Sequence, residues 1–194
     1  MTRPRFPFLL IGASLMAGVT LVSQQAQLPT PQKPGAAAAG PVLLLDTVKG
    51  AIEIELFPNE APKSVARILE LVKNGFYRGQ RFHWVSPGIV QFGDPLSRDM
   101  MKEKEWGNGG SGYRNGVRPI GVLEPSKRKF VRGSVGMAYR SNQRATDGDS
   151  QMFILTAPNP PLDGKYTMLG HVLKGLAVVE KLEKADTIKN LTVK

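Results

Sequence analysis

The chain has 194 residues, 41% of them hydrophobic and 22% charged, enough for one globular domain with sequence to spare. It has no cysteine, which excludes disulfides and thiolate nucleophiles, and its two histidines, His83 and His171, lack metal-ligand spacing. A net charge of +10 favours anionic partners, but the basic residues are spread out as on a solvated surface, and no nucleic-acid-binding motif accompanies them.

Residues 1–26 start with Arg3 and Arg5 and continue as an apolar run from Phe6 to Val22, the pattern of an export signal. The run is short for a membrane span, which takes about 20 apolar residues. Ser23 and Ala26 are the candidate last residues of a signal, but Leu21 or Gln24 then occupies the upstream small-residue position. A cleaved signal peptide and a retained N-terminal anchor therefore both stay open, and either implies a periplasmic or secreted protein. Residues 27–41 are rich in Pro and Ala and have no apolar period, so they read as a semi-extended linker.

Residues 42–194 carry the domain. Val42–Asp46 and Ala51–Phe57 read as strands joined by the turn Val48-Lys49-Gly50. In the second, Ile52, Ile54 and Leu56 alternate with Ala51, Glu53 and Glu55, as in a half-buried strand. A helix follows, started by Asn59 or Glu60, with Pro62 in its first turn. Val65, Ile68, Leu69 and Val72 recur along one face, and Asn74-Gly75 ends it with a left-handed cap. Further strands are expected at Phe82–Val85, Ile89–Phe92, Ser134–Ala138, Met152–Thr156, Met168–Leu173 and Thr187–Val193, with a second helix over Leu176–Lys184. Many short strands with two separated helices predict a mainly β fold: a closed antiparallel barrel of about eight strands with a helix at each end. Gly107–Gly112, GNGGSG, satisfies a dinucleotide-binding spacing but follows no clear strand and opens no helix. It reads instead as a loop of close backbone approach.

Arg81–Asp94 reads RFHWVSPGIVQFGD. With GSVGMA at Gly133–Ala138, SQMFI at Ser150–Ile154, LDGKYTMLG at Leu162–Gly170 and the glycine-rich loop, it resembles the cyclophilins, barrel-type peptidyl-prolyl cis-trans isomerases, in family order over about Leu43–Lys194. Two departures stand out. Trp84 occupies the slot of the arginine that follows Phe-His, and one residue is missing between Gly88 and Gln91.

The resemblance implies an enzyme that turns X–Pro bonds, acts on proline-containing polypeptides as a monomer, and uses no cofactor or metal. That chemistry crosses an amide-resonance barrier of about 18–20 kcal/mol without breaking a bond. It asks for an apolar proline pocket and for groups that favour the twisted amide. By resemblance, Phe153 is the pocket floor and Leu162, Tyr166 and either Ile89 or Val90 are its walls. Gln151 and Gln91 hydrogen-bond the substrate backbone, Gly107 and Ala138 leave room for the residues before the proline, and Tyr139 pairs with substrate through its backbone. His83 is structural rather than a base. Trp84 has one N–H and no guanidinium fork, so activity is expected to fall. Arg81 and Arg140 are the neighbouring arginines that could substitute. The alternative reading is a non-catalytic module that binds proline-containing segments of a partner.

Overall fold

The structure, a computed structural model, describes residues 40–139 and 144–194. The leader, most of the linker and Arg140 lie outside them. Eight strands form one antiparallel sheet: β1 (Val42–Thr47), β2 (Gly50–Leu56), β3 (Trp84–Ser86), β4 (Ile89–Phe92), β5 (Ser134–Met137), β6 (Met152–Leu155), β7 (Met168–Lys174) and β8 (Ile188–Val193), in the order β3-β4-β6-β5-β7-β2-β1-β8. The expected closure is limited. Among the described residues no ladder joins the edge strands β3 and β8. Instead, the chain just before each edge meets the other at the bridge between Arg81 and Thr187, flanked by Phe82 N–H to the Asp186 carbonyl (3.0 Å) and Ile188 N–H to the Gln80 carbonyl (2.8 Å).

Strand alternation separates two apolar clusters. Leu43, Leu45, Ile52, Ile54, Val90, Phe92, Val135 and Ile154 point into the concave side and form the main core. The intervening residues of β4 and β6 point outward. There Phe153 and Leu155 join Phe130, Ala138 and Met168, with Phe57, Ile89, Leu162 and Tyr166 packed against them. Strand β6 is therefore buried on both faces, which is why its sequence, MFIL, does not alternate.

Helix α1 (Pro62–Lys73) packs on β8 and buries Val65, Ile68, Leu71 and Val72. Neither Asn59 nor Glu60 caps it. The N-cap is Ala61, which offers no side-chain bond, and the Glu124 carboxylate accepts from Lys63 N–H (3.0 Å) and Ser64 N–H (2.8 Å) instead. An acidic group at that end satisfies orphan donors and complements the helix dipole. Glu60 is engaged elsewhere, accepting from Ser126 and Arg128. Gly75, at φ 66°, supplies the left-handed residue that ends α1.

The second helix is shorter than expected. α2 is a single turn, Leu176–Val179. Beyond it the Asp186 carboxylate accepts from Glu183 N–H (2.8 Å), and Ala185 adopts φ 74°, turning the chain toward β8. Strand β3 also starts late, at Trp84, because Phe82 is bonded across to Asp186.

Candidate functional site

The site lies on the outer cluster. Register fixes a row across four strands: Trp84 opposite Gln91, Gln91 opposite Phe153, and Phe153 opposite Gly136. Directly paired residues project to the same side of a sheet, so Trp84, Gln91 and Phe153 share the outer face. The missing residue after Gly88 has not turned Trp84 inward. Pro87-Gly88, with Gly88 at φ 89°, makes a two-residue turn that pairs Ser86 with Ile89. The same turn decides between the two candidate wall residues. Ile89 packs against the cluster that holds Phe153, whereas Val90 is 3% exposed and belongs to the concave core, on the other face of the sheet.

Phe153 stands among other rings. Tyr166 meets it edge-on at 5.7 Å between centroids, Phe130 is tilted against it at 5.8 Å, and Tyr139 stacks on Tyr166 at 4.4 Å. Burial, reinforced by Tyr166, pushes the Tyr139 phenol up, so it stays neutral. The Phe153 ring lies over Gly136, where a Cβ would come within 2.2 Å of Cζ. Sequence reasoning did not single out Gly136, Phe130 or Met168. For Gly136 the signal was available, since a glycine inside a strand marks close approach.

Gln151 is bonded within the fold. Its amide nitrogen donates to the carbonyls of Gly107 (3.0 Å) and Gly109 (2.8 Å), and its oxygen accepts from Gln91 Nε2 (2.9 Å). It ties the glycine-rich loop to β4. Two buried carboxylates complete the clamp. Asp94 accepts from Gly107 N–H and Leu96 N–H, and Asp149 accepts from Ser111 N–H (2.6 Å) and Arg118 N–H (2.9 Å). Side chains would collide here: a Cβ on Gly109 would fall 2.1 Å from Asp94 Oδ1, and one on Gly110 2.5 Å from Asp149 Oδ2. The loop is one of close approach, as its composition implied.

Trp84 is 58% exposed, and its indole N–H donates to Ser86 Oγ at 3.1 Å. Arg81 does not replace the arginine that Trp84 displaces. Its guanidinium donates to the Ala185 carbonyl (3.0 Å) and Thr187 Oγ1 (2.8 Å), where it ties the two edges of the sheet together.

The chain's likenesses agree with this geometry. Residues 42–194 match the family described as cyclophilin type peptidyl-prolyl cis-trans isomerase/CLD. The chain belongs to the cyclophilins. A probable peptidyl-prolyl cis-trans isomerase of Brucella suis is 40% identical over 165 residues, covering 82% of this chain and 81% of that protein. A peptidyl-prolyl cis-trans isomerase of Helicobacter pylori is 35% identical over 150 residues, covering 76% of this chain and 83% of that protein. A cyclophilin-type isomerase of Cryptosporidium parvum superposes with a TM-score of 0.66 at 25% identity, over 79% of this chain and 97% of that one. The same isomerase in the presence of the dipeptide Ala-Pro gives a TM-score of 0.64, over 79% of this chain and 98% of that one. The alternative of a non-catalytic module gives way to the enzyme, a peptidyl-prolyl cis-trans isomerase.

In this cyclophilin His83 lies buried under the glycine-rich loop, beside Gly107. Burial pushes its imidazole down to about 4, against the opposing pull of the Asp94 carboxylate. It is neutral at pH 7. The consequence is a pH-dependent stability. Well above pH 6.5 neither state protonates His83. Between 6.5 and about 4 the unfolded chain takes up a proton that the folded chain refuses, so stability falls as pH drops, by about 3 kcal/mol in all. His171, also lowered by burial, acts with the same sign. Urea unfolding of the wild type and His83→Gln between pH 4 and 7 isolates the His83 share. The difference in stability between them should narrow by about 3 kcal/mol toward pH 4, and a constant difference would refute the assignment.

Proposed function

We propose that this isomerase is exported, helps proteins fold outside the cytoplasm, and works at a reduced rate because Trp84 stands in the arginine slot. The observation that carries the rate is the indole itself. It lies on the face that holds Phe153, yet its only N–H is spent on Ser86. The indole therefore has no donor left to offer the proline nitrogen once the amide twists and that nitrogen becomes a better acceptor.

In this reading the substrate proline sits on Phe153, walled by Ile89, Leu162 and Tyr166. Gln91 and the backbone of Tyr139 hold the flanking peptide, over the space left by Gly107 and Ala138. Gln151 acts by positioning, since it orients both Gln91 and the loop. The Ala-Pro dipeptide named with a related structure is of the ligand class this pocket would take. Export rests on residues 1–26, with 27–41 as a tether to the domain at 42–194.

Two measurements test the proposal. Fractionation and mass spectrometry of the protein from its own cells should find it outside the cytoplasm, and the N-terminal mass separates a cleaved signal from an anchor. A cytoplasmic protein would end the export claim. In a protease-coupled assay the wild type should accelerate an X–Pro peptide measurably, and Phe153→Ala should abolish that acceleration. Equal rates would remove Phe153 from the site.

A further inference from the structure

Trp84 has lost the donor role of its slot, but it has not left the site. It is a large apolar ring, 58% exposed, on the same face as a buried aromatic cluster. Its indole N–H bonds to Ser86, two residues along the same edge strand. Two strand spacings, about 10 Å, separate its backbone from that of Phe153. An extended peptide covers that distance in about three residues. A chain with its proline on Phe153 would therefore carry a neighbouring side chain past the indole.

We propose that Trp84 selects substrates: an aromatic side chain within three residues of the proline stacks on the indole while the proline ring occupies the Phe153 cluster. This rests on the proline site described above and adds to it the class of sequence that the site prefers. Aromatic pairs gain from geometry beyond simple burial, and a tryptophan offers that surface at little cost in side-chain entropy. A cationic side chain could also lie over an indole, but the protein's net charge of +10 repels cationic peptides and leaves aromatics favoured.

The test uses the full chain carrying Trp106→Phe, so that Trp84 is the one tryptophan left of the two. Peptides with a single proline carry Ala, Phe, Lys or Glu at each of the three positions on either side. Affinity is read from Trp84 emission and, for Trp84 variants, by calorimetry. Phe at one position should bind about 2- to 13-fold more tightly than Ala and shift the emission. The preference should survive Trp84→Phe and disappear in Trp84→Ala. An unchanged aromatic preference in Trp84→Ala, or a stronger gain with Lys than with Phe, overturns the proposal. Proline-dependent binding without any aromatic preference overturns the role of Trp84 alone. Failure of every proline peptide to bind overturns the proline site as well.

Discussion

Gly136→Ala is expected to bring isomerase activity down by about 100-fold or more, to the uncatalysed background, while the protein still folds. The added Cβ would sit 2.2 Å from Phe153 Cζ, against 3.4 Å or more for ordinary contact. The ring must therefore move by more than about 1 Å, and a misplacement of that size in a site costs about 100-fold. The ring cannot simply sink, because β6 is backed by the concave core through Met152 and Ile154. Overpacking of this kind costs about 1–3 kcal/mol of stability, which a urea curve would show beside the activity assay. A variant with full activity would mean that Phe153 is not the floor of the site.

Trp84→Arg should act in the opposite direction. A hydrogen bond from a charged donor is worth about 1.5–3 kcal/mol. At 1.36 kcal/mol per tenfold in rate, a guanidinium that reaches the twisted amide would raise kcat by roughly 10- to 150-fold. The backbone is already suitable, since position 84 is paired with Gln91 and shares the outer face with Phe153. The same change removes the indole, so peptides with aromatic neighbours should lose their advantage in KM while kcat rises. A fall in kcat would show that the site works without a donor at this position.

Much of this was legible in the sequence because the signals were local. The alternation of Ile52, Ile54 and Leu56 placed β2. The order of family motifs assembled Phe153, Leu162, Tyr166 and Ala138 into one cluster. What escaped depended on partners far along the chain. Glu124 caps α1 from 60 residues away. Phe130 lies in a segment with no period, and it is seated by its N–H to Asp163 Oδ1 (2.8 Å) and its carbonyl to Asn159 N–H (2.9 Å). Periodicity alone could not choose between Ile89 and Val90, because a one-residue deletion exchanges faces. Turn geometry chose. Resemblance marked Gln151 as a substrate contact, but its bonds to Gly107 and Gly109, more than 40 residues away, were not legible in the sequence.

The most direct test of the account is exchange NMR on the wild-type protein with a peptide that has one proline next to phenylalanine. The cis and trans peptide signals should both show saturable binding that perturbs residues around Phe153 and Trp84. Their interconversion should be faster than the uncatalysed timescale of about 10–100 s, and faster still with Trp84→Arg. Binding without any acceleration in wild type or variant, or acceleration that leaves the Phe153 cluster unperturbed, would contradict it.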